Sequence, residues 1–314
     1  MFFEKRDYLE LDTPLLSPDL IPESCLEVFQ TERLHPFGSK KEKTSLWLIP
    51  SPEIWMKKII AKHKENVFQI CKCFRNGESE GFLHSSEFTM LEYYTVNANY
   101  MDSLAITEEL ILYLINNNEE LGIKNEQKKV GNGCKTNSIL SFERITVAQA
   151  FEKYAGFDLF AAAKDITVME THARRLGIEP PAGTTIPQLY DLIFIHAVEP
   201  HLKKDNPVFL LDYPAFVPCL AKRNGHIVER WELYWNGVEL ANCYSEETDP
   251  IKIKEFFISE EEEKERSAIV KHKVNHDYWK MFDSFPKCSG VALGVDRLIM
   301  TLTGKKSIDG VLIS

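Results

Sequence analysis

The stretch from Val67 to Val96 constrains this chain most. It reads as two strands, Val67–Arg75 and Phe88–Val96, joined by the glycine-bearing loop Asn76–Ser86. Strand side chains alternate between faces, so Phe88, Met90, Glu92, Tyr94 and Val96 share one face and Thr89, Leu91, Tyr93 and Thr95 the other. A carboxylate is thereby placed among aromatics. Arg75 closes the first strand, and the loop carries Glu78, Glu80 and His84. Charges of both signs around one aromatic strand suit a charged, planar ligand better than they suit a core.

At 314 residues the chain can form one large domain or two ordinary ones, with a sizeable core. No apolar run is long enough to cross a bilayer, and no basic-then-apolar leader opens the chain, so a cytoplasmic protein without membrane attachment is expected. Seven cysteines in irregular spacing do not describe a disulfide framework. Cys71 and Cys73 alternate along one strand face, a poor geometry for a structural zinc site. A net charge of −10 argues against broad binding to nucleic acid, which depends on neutralising phosphates with Lys and Arg.

Taken in order, Phe2–Leu11 reads as the end of a helix running into a strand, with a turn at Asp12-Thr13-Pro14. Ser39–Lys43 is a polar loop and Leu46–Ile49 a short strand. Ser51-Pro52-Glu53 opens a helix in which serine caps, proline fits the first turn and glutamate meets the dipole. Trp55, Met56, Ile59 and Ile60 form its buried stripe; dipole capping alone also accounts for Glu53. A helix is expected over Asp102–Asn118 and a polar loop or loose hairpin over Asn116–Ser138. A helical middle follows: Thr146 and Gln149 have capping-box spacing for a helix from Val147 to Tyr154 that stops at Gly156, and further helices cover Ala162–Leu176 and Ile186–Val198. His172, His196 and His201 have no metal-ligand spacing and read as structural.

Val208–Tyr213 is a strand. Ile227–Trp235 and Val238–Tyr244 then flank Asn236-Gly237, the signature of a two-residue hairpin loop. That loop pairs Trp235 with Val238, Tyr234 with Glu239 and Glu232 with Ala241, leaving Glu232 and Glu239 as diagonal neighbours able to bridge a hard cation. Strict alternation puts Asn242, Tyr244 and Glu246 on the opposite face; they join the carboxylates only if the strand bulges or ends near Ala241. A charged helix is expected over Ile253–His276. Cys288–Leu293 is a small apolar strand leading through Gly294 into a helix to Leu302, with Arg297 in its first turn, where free N–H groups already favour an anion.

Three stretches thus offer complementary chemistry: Arg75 and Arg297 for phosphates, Glu232 and Glu239 for a cation, Phe88 for stacking on a base. Magnesium–ATP requires all three. Glu53, Glu92, Glu246 and Tyr94 add acceptors that ATP does not use, so the second substrate should carry amines.

Phe74-Arg75-Asn76 through Glu87–Tyr94 resembles motif 2 of the class II aminoacyl-tRNA synthetases, Gly290–Arg297 resembles motif 3, and Tyr8–Pro14 is similar to the end of motif 1. Ser51-Pro52-Glu53 and Glu239-Leu-Ala-Asn242 resemble the lysyl branch, and within it the freestanding elongation factor P lysyltransferases. The resemblance implies an α+β fold of the class II synthetase catalytic type, a mostly antiparallel sheet flanked by helices. It further implies one catalytic domain over residues 1–314, a helical insertion at about 146–200 and no anticodon-binding domain. It implies ATP-dependent activation of lysine or (R)-β-lysine, magnesium as cofactor, elongation factor P as acceptor, a homodimer and no stable tRNA binding.

By the same resemblance Arg75 holds the α-phosphate and the substrate carboxylate, His84 and Arg297 the outer phosphates, and Phe88 lies beneath adenine. Asn76, Gly77, Ser85, Leu233 and Gly294 complete the nucleotide site. Glu232 and Glu239 hold magnesium, while Ser51, Pro52, Glu53, Glu92, Tyr94, Glu239, Asn242, Glu246 and Ala292 surround the amino acid. Ala292 stands where lysyl-tRNA synthetases usually have glycine, a methyl that narrows the pocket. The chain departs from the family at Gly77, which replaces an adenine-reading glutamate, at Phe82, which replaces a basic residue, and at Ser85-Ser86, which replace Asn-Pro. Two other readings fit the same motifs: a ligase that acylates tRNA or another acceptor, and a silent paralogue that binds an amino acid without reacting it.

Overall fold

The computed structural model describes residues 1–35, 42–78, 81–117 and 140–312. Glu80 and most of the polar stretches Ser39–Lys43 and Asn116–Ser138 lie outside the described residues. Met1–Asn99 with Glu246–Ser314 form one compact unit, and Tyr100–Ser245 form a second.

In the first unit the strands Leu9–Glu10, Val67–Phe74, Glu87–Val96 and Cys288–Gly294 lie side by side in that order. The outer pair is parallel and the others antiparallel. Register sets large side chains against small ones: Tyr94 faces Gly290, Glu92 faces Ala292 and Met90 faces Gly294. That mismatch in size lets the Tyr94 ring lie directly against the Gly290 backbone, where a Cβ would come within 2.4 Å of it. A smaller sheet joins Leu16–Ser17, Glu42–Leu48 and Gln30–His35.

The Glu53–His63 helix buries Ile54, Met56, Lys57 and Ile60, one position round from the stripe read off the sequence. Ser51 does not cap it; Pro52 occupies the N-cap without a side-chain bond. The charged helix is also shorter than expected, running Pro250–Ser267. It ends because the Glu27 carboxylate accepts the N–H groups of Ile269 and Val270 at 2.8 and 3.0 Å, holding the following chain extended.

In the second unit the order is Val238–Ser245, Ile227–Trp235, Val208–Pro214 and Glu143–Thr146, again antiparallel except for the last pair. Helical segments between Val147 and Leu202 cover it, burying Phe151, Leu159, Met169, Leu189 and Ile193 against Val208, Leu210, Val228 and Tyr234. The Thr146–Gln149 capping box forms, and Gly156 ends the following π-helical turn at φ +76°. The single helix expected over Ala162–Leu176 is two, Leu159–Ala162 and Ile166–Arg175, because Asp165 turns out of helix and caps Thr167. Among the described residues no helix is long and apolar enough to cross a membrane.

Candidate active site

The pocket floor of the first unit gathers the amine acceptors anticipated from the sequence. Glu92 is 3 % exposed and takes the Tyr94 hydroxyl at 2.6 Å, leaving its second oxygen buried without a partner. Burial, then the nearby Glu53 charge, pushes the Glu92 carboxyl well above its usual range, although Tyr94 opposes this. Glu246 is held in place by its N–H to the Cys288 carbonyl at 2.9 Å. Burial pushes its carboxyl up to about 7, against the pull of Lys57. Lys57 bridges the two outer carboxylates, 2.5 Å from Glu53 and 2.6 Å from Glu246. Gly290 closes the pocket from its strand: a Cβ there would lie 2.4 Å from Tyr94 Cε1 and 2.7 Å from Glu246 Oε1. Glu53, Glu92, Tyr94, Glu246 and Gly290 are therefore one packed assembly, and Ala292 stands directly across from Glu92.

Farther along the same face, the Arg75 guanidinium lies over the Phe88 ring at 5.2 Å and 3.8 Å from Glu78, with its Nε buried and unpartnered. Asn76 is fixed by its N–H to the Glu27 carbonyl, and its side chain takes the N–H of Gly77, whose φ is +71°. Arg297 donates through Nε to the Leu83 carbonyl, and the Ile308 N–H bonds the Phe82 carbonyl, so the loop before Ser85 is tied at two points. Asp296 accepts the Thr89 N–H at 2.6 Å and thereby fastens the Val295–Leu302 helix to the strand carrying Phe88. Burial and the positive charges of Arg297 and Arg75 keep the His84 imidazole below its usual pKa, so it meets anions as a neutral donor at pH 7. Phe82 is exposed.

In the second unit the hairpin turns at Asn236 and Gly237, with φ of +54° and +79°. Trp235 pairs with Val238 and Tyr234 with Glu239 as expected, but the register then shifts: Glu232 pairs with Asn242, not Ala241. Leu240 is the extra residue of a bulge, and the buried neighbours Leu240 and Ala241 mark it. Asn242 consequently shares a face with Glu232, Tyr234 and Glu239. Glu232 meets the Arg230 guanidinium at 2.5 Å and the Tyr234 hydroxyl at 2.8 Å, while Asn242 keeps Oδ1 buried and unpartnered. Leu233, on the opposite face, is fully buried.

Among the described residues no cluster of three His, Cys, Asp or Glu stands ready for a metal. Two carboxylates and an orphaned amide oxygen nevertheless make a hard-oxygen donor set, and they fit magnesium, which typically takes one or two carboxylates and completes its shell with substrate phosphates and water.

Lys57, Asp296 and Arg230 were not anticipated. The Glu53–Lys57 spacing of one helical turn was the available signal for the first, although such pairs usually lie on a solvated surface. Asp296 carries no local signature, since its partner is Thr89 on a distant strand, whereas Arg230 stands two residues before Glu232 on one strand face, a spacing the sequence does show.

The mostly antiparallel strands, the buried acidic cluster and the arginine-bearing loop and helix define a class II synthetase chain. The family model for tRNA synthetases class II (D, K and N) matches residues 1–313, and the chain belongs to that family. It is 33 % identical to the elongation factor P–(R)-β-lysine ligase of Avibacterium paragallinarum, over 99 % of this chain and 89 % of that one. A homolog of that ligase from Aquifex aeolicus is 35 % identical, over 98 % and 92 %. The lysine–tRNA ligase of Carboxydothermus hydrogenoformans is 33 % identical, over 99 % of this chain but 62 % of its own length.

Proposed function

We propose that this chain is an ATP-dependent ligase that activates a lysine-type amino acid, preferably (R)-β-lysine, as an acyl-adenylate and transfers it to a lysine side chain of elongation factor P. The carrying observation is the pocket of Glu53, Glu92 and Glu246, an excess of largely buried carboxylates over the single Lys57. Such an excess suits a substrate that brings two amines. Relatives named for this reaction, matching along nearly the whole chain, support the same reading.

In the first step the substrate carboxylate attacks the α-phosphorus in line, and pyrophosphate leaves. Arg75 and Arg297 carry the catalytic role by neutralising phosphate charge; the unpartnered Arg75 Nε is free for a phosphate or carboxylate oxygen. His84 reaches the outer phosphates, Phe88 stacks on adenine, and Asn76, Gly77, Ser85 and Gly294 line the nucleotide, with Leu233 contributing only its backbone because its side chain is buried on the other face. Glu232 and Glu239 would hold magnesium, which supplies charge neutralisation on the phosphates. Glu53, Glu92, Tyr94, Asn242 and Glu246 receive the amino groups, and Ser51, Pro52, Glu239 and Ala292 complete the amino-acid site. In the second step the neutral acceptor amine attacks the acyl carbon and AMP leaves with the bonding pair. The assignment further carries one catalytic domain, a homodimer and a cytoplasmic location.

A rival acceptor, tRNA, is favoured by one observation: the lysine–tRNA ligase relative is as similar as the factor-modifying one. Purified elongation factor P and tRNA are incubated separately with enzyme, ATP and labelled lysine isomers. The expected result is a mass increase of one lysyl residue on the factor and none on tRNA. Labelled tRNA with an unmodified factor overturns the proposal.

A further inference from the structure

Lys57 has no role in ATP chemistry, yet it is among the most deeply buried charged side chains described. On an exposed helix a glutamate and lysine one turn apart interact only weakly. Here the Lys57 side chain is 2 % exposed and Glu246 3 %, so the ammonium has exchanged water for two carboxylates. Removing one member of such a set is severe, because an uncompensated buried charge remains. The groups around it come from several elements: Glu53 from its own helix, Glu246 from the segment after Ser245, Glu92 from the Glu87–Val96 strand, Tyr278 from the Tyr278–Ser284 turn, and Glu23, which also feels the Lys57 charge. Burial works against the Lys57 charge, but Glu246 and Glu53 hold its pKa well above that of an ordinary lysine, so it stays an ammonium at neutral pH.

We propose that Lys57 is a built-in ammonium of the amino-acid pocket, a positioning residue that neutralises Glu246 and aims Glu53, so that the pocket presents a fixed number of acceptor oxygens to the substrate's amines. The inference rests on the reading of the pocket as a diamino-acid site. Without Lys57, Glu53 and Glu246 face each other unscreened and the pocket loses its defined count of negative charge. Nucleotide binding, which uses Arg75, Phe88 and Arg297, is untouched.

The test compares wild type, Lys57→Met and Lys57→Ala in calorimetric binding of lysine and of ATP. Expected are at least tenfold weaker lysine binding in Lys57→Met with ATP affinity within twofold, and recovery of lysine binding by Lys57→Ala when n-propylamine, but not n-propanol, is added. Lysine affinity within twofold of wild type in Lys57→Met overturns the proposal. Equal rescue by alcohol and amine overturns it too, since space filling would then suffice. Failure of both variants to fold with amine present also overturns it, by making Lys57 a support of the fold. Wild type that binds no diamino acid overturns the functional reading and this inference together; wild type that binds lysine beside unaffected variants overturns the inference alone.

Discussion

Replacing Gly290 by alanine probes the tightest contact in the amino-acid pocket. The added methyl would sit 2.4 Å from Tyr94 Cε1, 2.8 Å from Tyr94 Cδ1 and 2.7 Å from Glu246 Oε1, far inside the roughly 3.5–4.0 Å at which non-bonded carbons rest. Neither neighbour has somewhere to go. Tyr94 is 3 % exposed and its hydroxyl holds Glu92, while Glu246 is 4 % exposed and ion-paired with Lys57. Overpacking of this kind costs about 1–3 kcal/mol. If the displaced groups are those that grip the substrate, that range converts to roughly a 5- to 150-fold rise in KM for lysine at 1.4 kcal/mol per decade. Lysine-dependent ATP–pyrophosphate exchange reads KM for lysine and for ATP separately, and a melting curve establishes that the variant folds. A folded Gly290→Ala enzyme whose lysine KM stays within twofold of wild type would refute the placement of the amine site under this strand.

Three further outcomes follow from the same geometry. Ala292→Gly removes the methyl facing Glu92 and should raise the preference for α-lysine over (R)-β-lysine severalfold in exchange assays with each isomer, in line with the roughly 1–3 kcal/mol that a methylene-sized change is worth in a pocket. Asp296→Ala strips the Thr89 N–H of its 2.6 Å acceptor and should lower unfolding free energy by about 1–3 kcal/mol, while Asp296→Asn, which keeps an acceptor oxygen, should lose less in a urea titration. The pH dependence is set by Glu246 and Glu23, both pushed up to about 7 from 4.5, mainly by burial. The folded state then binds more protons than the unfolded one between those values, so this contribution to stability falls as pH rises from 4.5 through about 7. Melting scans with and without lysine should show the ligand-induced rise in Tm growing across pH 6–8, because a diammonium substrate prefers the ionised carboxyls.

The strands were readable because their patterns are local. Alternation placed Glu92 and Tyr94 on one face, and their 2.6 Å hydrogen bond is the direct consequence. Asn236-Gly237 fixed the first two pairs of the second hairpin, Trp235–Val238 and Tyr234–Glu239. The register beyond them was not readable, because a bulge at Leu240 costs little locally and is selected by what the strand must bury on either side. Counting inward from the turn misplaced Glu232 by one partner, whereas two adjacent apolar residues, Leu240 and Ala241, were the visible trace of the slip. The helix boundaries failed for a related reason: Asp165 starts a new helix by taking the Thr167 N–H, and Glu27 holds the chain after Ser267 extended by taking backbone N–H groups across a long sequence separation.

Lys57 marks the deeper limit of local patterns. On the Glu53–His63 helix the rule that apolar residues point inward assigned it to solvent, and its long stem would let the ammonium reach water from almost any position. It is buried instead because Glu246 closes over it from a remote part of the chain, and because Gly290 leaves Glu246 the space to do so. A charged residue on a helix face reads as solvated until its partner is known. Two carboxylates from different elements converging on one ammonium are therefore a feature that only the folded chain reveals. The same convergence separates a pocket for amines from an accidental collection of acids: burial alone drives the carboxyls towards their protonated forms, whereas the internal cation opposes that rise at Glu246 and keeps it, at about 7, within reach of ionisation when a substrate amine arrives.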